Sequence, residues 1–422
     1  MSHPGLPPRR AAVRLLDGVL GKGALLPEIL TSGVMDKLEP SEKARAQRLA
    51  TETLRWMDRA DRMLGPFLRN KPPLMVHNVL RMSVVELCVD GGAAHGVVNT
   101  AVAMVKADRE NMRAAGMVNA VLRKIDPEKW HGLPVPQLPK WLRKPLIADY
   151  GKQTIIAMET AFSKGAPLDL TAKNDPEKLA KAVNGQLLPN GSVRLVDAGQ
   201  VSTIAGYDDG DWWVQDGAAA MPAMILDAKA GERVLDMCAA PGGKTMQLAA
   251  TGADVVAIDV SKKRMARVQE NLDRTNLKAT LRVTDALKWT EAAFDAILLD
   301  APCTATGTIR RHPDLPYAKD GSDFPTLFKL QERMIDHALT QLKPGGRLVF
   351  CTCSLLPDEG EIQIEDALKR HKDLTVQPID QPWIKDSWKT AEGGIRLRPD
   401  YWADQGGMDG FYIAVLTKGT TA

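Results

Sequence analysis

From about residue 216 the chain alternates short apolar runs with helical stretches, and this rhythm restricts the fold more than any other feature. Arg233 to Asp236, Asp254 to Asp259, Ala279 to Val283, Ala296 to Asp300 and Gly346 to Cys351 are runs of strand length. Segments with helical spacing, such as Lys262 to Thr275 and Thr326 to Leu342, separate them. Strands joined by helices run parallel, and the crossover helices cover both faces of the sheet. Near-continuous apolar strands agree with two-sided burial. The expectation for residues 216–422 is an α/β domain built on a doubly wound, mostly parallel sheet.

The other half of the chain has a different rhythm. The full chain of 422 residues leaves room for two or three domains at the usual ~100–200 residues each. Residues 8–130 show no strand alternation. Leu15, Leu16, Val19 and Leu20 recur at helical spacing, as do Val98, Val102 and Val105, then Val118, Val121 and Leu122. Gly21, Gly91-Gly92 and Gly116 fall where turns between these segments are expected. Residues 1–130 therefore read as an all-α domain, in which the isolated His77 and His95 are capping or packing residues. Pro134, Pro136, Pro139 and Pro145 prevent a continuing helix and mark a linker or domain edge. Beyond them, Ile155 to Phe162 looks helical, while Leu168 to Thr171 and Val193 to Val196 look like short strands. Residues 131–215 are accordingly a linker and a small α+β subdomain.

Composition narrows the setting. Apolar residues at 44% and charged residues at 25% are ordinary for a folded protein. No stretch approaches the ~20 apolar residues that span a bilayer, so no membrane partner is expected. Five cysteines, Cys88, Cys238, Cys303, Cys351 and Cys353, are odd in number and not spaced as a disulfide framework, which points to a reducing cytoplasm. Residues 1–130 carry 20 Lys and Arg against 14 Asp and Glu, a balance of +6, and the remainder carries −3. A basic bias of that size permits polyanion binding and equally fits a solvated helical surface. Nothing in the composition calls for more than a monomer.

The first strand of the alternating region ends in Cys238-Ala239-Ala240-Pro241-Gly242-Gly243-Lys244-Thr245. Small residues let a ligand approach the backbone, and the following helix start offers N–H groups. A phosphate-gripping P-loop needs Gly where this chain has Cys238, and the dinucleotide pattern G-x-G-x-x-G is absent. Asp259 nevertheless closes the next strand, 21 positions after Cys238, where a carboxylate accepts hydrogen bonds from ribose hydroxyls. Asp285 follows the third strand and is placed to reach an adenine amino group. A ribose carboxylate without a diphosphate grip suggests a nucleoside cofactor such as S-adenosylmethionine. An NAD-type ligand and a purely structural turn are the competing readings.

Two cysteines lie just beyond strand ends, Cys303 in Asp300-Ala301-Pro302-Cys303 and Cys353 in Cys351-Thr352-Cys353-Ser354. Ligands of open α/β sheets bind outside the carboxyl ends of the strands, so both should face the crevice of the glycine loop. No Cys-x-x-Cys or Cys/His cluster accompanies them, which argues against a metal site. Cys88 and Cys351 look structural.

Residues 236–245, Asp-Ala-Pro-Cys-Thr-Ala-Thr-Gly-Thr-Ile-Arg-Arg-His-Pro-Asp at 300–314 and Thr-Cys-Ser at 352–354 resemble the RsmB/Sun group of RNA cytosine-5 methyltransferases. The helical segment is similar to the NusB-like RNA-binding domain of that group, chiefly over His95 to Lys106 and Gly116 to Arg123. The resemblance implies a Rossmann-like class I methyltransferase domain behind an all-α NusB-like domain. It also implies that S-adenosylmethionine is the cofactor, and that small-subunit (16S) rRNA rather than DNA is the substrate. By the same resemblance, Cys353 is the nucleophile, Cys303 assists product release, and Asp300 hydrogen-bonds the cytosine edge and touches the cofactor. Cys238, Ala239, Ala240, Pro241, Gly242, Gly243, Lys244, Asp259 and Asp285 map onto the cofactor site.

The chemistry agrees with this. Cytosine C5 is a poor nucleophile until a thiolate adds at C6, and a thiol combines nucleophilicity with leaving-group ability near neutral pH. Arg310, Arg311 and His312, just past Cys303, are candidates to grip RNA phosphates, with a solvated turn as the alternative. Thr304-Ala305 stands where the family often has Ser-Gly. Two rival functions are the same reaction on tRNA or another RNA, and an RNA-binding assembly factor whose methyltransferase fold is idle.

Overall fold

The structure is a computed structural model describing residues 5–196, 198–291 and 293–419. It divides into two compact units. One comprises residues 1–164 with 309–321, the other residues 165–308 with 322–422.

The first unit is helical. Its main helices are Leu6–Lys22, Pro40–Arg55, Leu74–Cys88, Ala94–Lys106 and Ala115–Leu122, followed by Lys140–Tyr150 and Lys152–Lys164. Leu15, Leu16 and Val19 pack with Leu49, Leu54, Leu80, Val98, Val105 and Val118 in one core. The helical periodicity of the sequence is thus the contact stripe of a bundle. Arg9 and Glu86 cross that bundle as a buried ion pair, with Nη2 to Oε1 at 2.6 Å. His77 packs with its Nε2 3.2 Å from Asp61 Oδ1, whereas His95 is exposed.

Several boundaries differ from the sequence expectation. Gly21 and Gly116 lie inside helices, and only Gly91-Gly92 falls at a break. At Gly21 the reason is close packing, since a Cβ would stand 2.9 Å from Leu74 Cδ2. Pro145 also lies inside a helix. The Pro-rich stretch turns the chain without ending the unit. Arg59 Nε donates to the Pro134 carbonyl at 2.7 Å, and Gln137 N–H donates to Asp58 Oδ2 at 3.1 Å. The next two helices then bury Leu142, Leu146, Ile155, Met158 and Phe162. The helical unit therefore runs to residue 164 rather than 130, and the strands expected within 131–215 belong to the other unit.

Residues 309–321 join the helical unit from far along the chain. Asp314 Oδ2 accepts from Leu26 N–H at 2.8 Å, the Arg310 carbonyl accepts from Arg55 Nη1 at 2.9 Å, and the Pro316 carbonyl accepts from Trp141 Nε1 at 3.0 Å.

The second unit opens with a small antiparallel sheet of β1 (Leu168–Ala172), β2 (Gln186–Leu187), β3 (Val193–Leu195) and β4 (Trp212–Val214), in the order β2-β3-β1-β4. Its centre holds a fully buried pair, Arg194 and Asp169, in which Arg194 Nη1 also donates to the Gln405 and Gly407 carbonyls. The large sheet follows, with β5 (Arg233–Met237), β6 (Asp254–Asp259), β7 (Thr280–Val283), β8 (Phe294–Asp300) and β9 (Leu342–Thr352). Then come β10 (Leu374–Gln377), β11 (Ile395–Leu397) and β12 (Phe411–Lys418). The order is β10-β12-β9-β8-β5-β6-β7, with β11 on β12. β5 to β9 are mutually parallel, and β12 runs antiparallel between β9 and β10.

Alternate residues of each central strand enter opposite cores. Val234, Leu298, Val349 and Ile413 face the layer of helix Gly217–Leu226, while Leu235, Leu299, Phe350 and Tyr412 face that of helix Phe324–Gln341. This is the doubly wound parallel sheet expected from the sequence. The chain moves outward from β5 through β6 and β7, then returns to lay β8 on the other side of β5. That reversal puts the topological switch point between β5 and β8, and ligands of such sheets bind outside the carboxyl ends of the strands there.

Candidate active site

The loop after β5 is shaped for close approach. Cys238 has φ +63° and Gly242 φ +104°, and the Ala240-Pro241 peptide is cis. A Cβ on Gly242 would meet Val268 Cγ1 at 3.0 Å, so sterics and conformation both favour glycine there. Ala239 N–H donates to the Ile258 carbonyl at 3.0 Å and Ala240 N–H to Asp259 Oδ2 at 3.3 Å. Asp259 Oδ1 accepts from Ser261 N–H at 2.8 Å. The loop is thus stitched to the end of β6, and Asp259 is held by the backbone on both sides. Arg264, which the sequence reading passed over, donates to the Ala240 carbonyl and stands 3.6 Å from Asp259. No side chain caps the helix Gly243–Ala250, which leaves the backbone N–H groups at its start uncapped. Asp285 is partly exposed beyond β7, and its Oδ1 accepts from Leu287 N–H at 3.0 Å.

Beneath the loop lies Asp236, with no exposed surface. Oδ2 accepts from Thr245 Oγ1 at 2.6 Å, and Oδ1 has no partner. Burial pushes this carboxyl up to about 7, against the opposing pull of the Thr245 hydroxyl and the Lys244 charge. Lys244 itself reaches Asp300 at the end of β8, with Nζ 2.8 Å from Oδ2. Burial works against the Lys244 charge, but Asp300 prevails and holds the ammonium above the ordinary lysine range. The sequence reading placed both residues at the site without pairing them.

The two cysteines come together as expected. Cys303 Sγ and Cys353 Sγ are 3.5 Å apart, and both residues are partly exposed. Cys351 is fully buried and donates to Asp300 Oδ1 at 3.5 Å. Burial pushes its thiol well up, as it does that of Cys238. The backbone fixes the cysteine loops to each other, since Gly307 N–H donates to the Cys353 carbonyl at 2.9 Å and Gly410 N–H to the Gly307 carbonyl at 2.8 Å. A Cβ on Gly307 would stand 2.0 Å from the Gly410 carbonyl oxygen, so this junction excludes every other residue.

Below the sulfurs is a polar cluster that sequence reasoning missed. The hydroxyls of Thr304, Thr306 and Ser354 lie 3.2 Å from one another, and Glu359 and Gln331 bond the 302–304 stretch of the same loop. Glu359 is one of three acids, with Asp358 and Glu361, that closely follow Cys353, and nothing in the sequence singles it out.

The proposed phosphate grip does not survive intact. Arg310 has no exposed surface, so its guanidinium is not available to a docked phosphate. Its segment folds into the helical unit, and the spacing from Cys303 gave no warning of that. Arg311 is partly exposed and His312 exposed.

Fold and site together define a methyltransferase-type α/β domain, a Rossmann-like sheet with its switch point between β5 and β8 and two neighbouring thiols just past the ends of β8 and β9. Comparison with known proteins makes the class specific. The family model described as 16S rRNA methyltransferase RsmB/F matches residues 223–417, and the NusB family matches residues 6–127. Ribosomal RNA small subunit methyltransferase B of Pseudomonas putida is 36% identical over 97% of this chain and 98% of its own length. The protein of the same name from Xanthomonas campestris pv. campestris is 34% identical over 98% of each. A solved methyltransferase homolog from Pyrococcus horikoshii, 29% identical, superposes with a TM-score of 0.56 over 66% of this chain and 95% of its own. The chain belongs to the RsmB/F family of ribosomal RNA methyltransferases, with a NusB-type helical domain ahead of the methyltransferase domain. Among the described residues no helix is long and apolar enough to cross a membrane.

Proposed function

We propose that this protein transfers a methyl group from S-adenosylmethionine to C5 of a cytosine in small-subunit rRNA through a covalent bond between Cys353 and cytosine C6. The observation that carries the reading is the pair of sulfurs 3.5 Å apart beside the Lys244–Asp300 pair.

The cofactor side fits a nucleoside without a diphosphate. The loop of Ala239 to Gly243 offers backbone and small side chains, and Asp259 and Asp285 stand where ribose and adenine donors would need acceptors. The orphaned Oδ1 of Asp236 adds a buried acceptor beneath them. Bound there, S-adenosylmethionine supplies an electrophilic methyl on a sulfonium.

The protein side does the activation. Cys353 adds as thiolate to C6, which makes C5 enamine-like and able to attack the methyl carbon. Asp300, paired with Lys244 at 2.8 Å, would accept from the cytosine N4 amino group and so orient the ring for attack. Loss of the C5 proton to a base then lets the C6–sulfur bond break, and Cys353 leaves as thiolate. Cys303 is close enough to hydrogen-bond the departing sulfur. To reach both thiols the target base leaves any stack, so an unpaired cytosine is the expected substrate. The helical unit, of NusB type, supplies further RNA contact.

Nucleoside mass spectrometry tests this. Purified protein and S-adenosylmethionine are incubated with protein-free small-subunit rRNA, with tRNA in parallel. 5-Methylcytidine in the rRNA alone is the expected result. Methylation confined to tRNA would move the substrate, and a methylated product other than 5-methylcytidine would sink the mechanism.

A further inference from the structure

We propose that Glu359 is the positioning residue of the cysteine pair: it locks the two cysteine loops together and sets its charge against Cys303, so that the two cysteines take different roles. The proposal rests on the two-cysteine reading above and assigns a residue that reading does not use.

The geometry is specific. Glu359 has no exposed surface. Its Oε1 accepts from Thr304 N–H at 3.0 Å and from Gln331 Nε2 at 2.9 Å, and its Oε2 accepts from Thr304 Oγ1 at 2.6 Å. Its backbone carbonyl accepts from Thr352 Oγ1 at 2.7 Å. Thr304 directly follows Cys303, and Thr352 directly precedes Cys353. One residue therefore grips the chain next to each sulfur. The hydroxyls of Thr304 and Thr306 reach on to Ser354, the residue after Cys353, at 3.2 Å each. Gln331 Nε2 also donates to the Pro302 carbonyl at 2.8 Å, which closes the cluster on the other side of Cys303.

Every group bonded to the Glu359 carboxyl donates, the pattern of an ionised carboxylate. A fixed negative charge beside a thiol disfavours a second one. The other charges close by are paired among themselves, Lys244 with Asp300 and Arg396 with Glu361, while Arg396 also donates to the Ser354 carbonyl. The Cys303 thiol is pushed well up by its hydrogen bond to Cys353 and by burial, and the Glu359 charge adds to both. An S–H on Cys303, 3.5 Å from the neighbouring sulfur, then donates to the Cys353 thiolate. That bond supports Cys353 both as nucleophile and as leaving group, which gives the two chemically identical side chains different roles.

The test is the pH profile of iodoacetamide labelling of each cysteine in the full chain, read by peptide mass spectrometry without RNA or cofactor. In the wild type, Cys353 reacts at lower pH than Cys303, and the reverse order overturns the proposal whatever the variants do. Glu359→Gln keeps the size and, with the Thr304 hydroxyl turned round, the hydrogen bonds. It should move the Cys303 profile down by about one pH unit, about tenfold more labelling at a fixed pH. Glu359→Asp keeps the charge and should leave Cys303 slow to react. An unmoved Cys303 profile in Glu359→Gln refutes the charge role, as does an equal shift in both variants. In the methylation assay, Glu359→Gln should lower kcat with KM for RNA unchanged. If the labelling behaves as expected but the wild type makes no 5-methylcytidine, the methyl-transfer reading fails and the action of Glu359 on Cys303 stands.

Discussion

Asp236 gives the most quantitative test of the site, because its environment forces a dependence of stability on pH that one substitution should erase. The carboxyl is fully buried, one oxygen is bonded to Thr245, and the other has no partner. Its pKa rises from 3.8 to about 7 on folding. A group whose pKa is raised in the folded state binds its proton more tightly there. Its contribution is therefore complete below pH 4 and is lost as pH rises toward 7. A shift of about three units at 1.36 kcal/mol per unit is a loss of about 4 kcal/mol by pH 8, with roughly 2–3 kcal/mol of it between pH 5 and pH 8.

Asp236→Asn keeps the acceptor for Thr245 but places an amide nitrogen where Oδ1 finds no partner, at a cost of about 1–3 kcal/mol. The variant lacks the titrating group, so relative to wild type it should gain roughly 2–3 kcal/mol of stability between pH 5 and pH 8. Urea unfolding followed by tryptophan fluorescence at several pH values measures this directly. Parallel stability curves for the two proteins from pH 5 to pH 8 would refute the reasoning, since they would mean Asp236 binds its proton alike in both states.

Three further outcomes follow from the geometry. Cys353→Ala should abolish both methylation and any covalent protein–RNA adduct on denaturing gels, and a stable adduct in that variant would move the nucleophile elsewhere. Cys303→Ala should still attack but release poorly, so an accumulating protein–RNA complex is expected, and rapid turnover without it would contradict the release role. Ala305 holds φ +57°, a conformation that costs a residue with a Cβ roughly 1–2 kcal/mol. Ala305→Gly should raise Tm by a few degrees, about 2–4 °C per kcal/mol for a unit of this size, while lowered stability would show that the methyl packs favourably.

Ala305 also shows how sequence and structure inform each other. The departure from Ser-Gly looked like an exchange of small residues, but position 305 needs a positive φ, which only the folded loop reveals. The β5 to β9 strands and the helix Lys262–Thr275 were legible because each carries its own periodicity within a short window. β10, β11 and β12 were not anticipated. Their runs are short or lie far from the alternating core, and only pairing with β9 tells β12 that it enters the sheet antiparallel. The Pro-rich stretch misled for a related reason. Proline breaks local hydrogen bonding, but it does not decide whether the chain beyond it packs back on the same core.

The fold class and the strand-end motifs that carry Cys303 and Cys353 could be read locally, because strand rhythm and short motifs are written residue by residue. Tertiary structure alone decided the rest. It withdrew the Arg310 side chain from solvent, joined Lys244 to Asp300 across 56 positions, and brought Glu359 against Thr304 across 55. Such pairings depend on where distant strand ends converge, and the energetics of a buried charge depend on what surrounds it in space rather than on its neighbours in the chain.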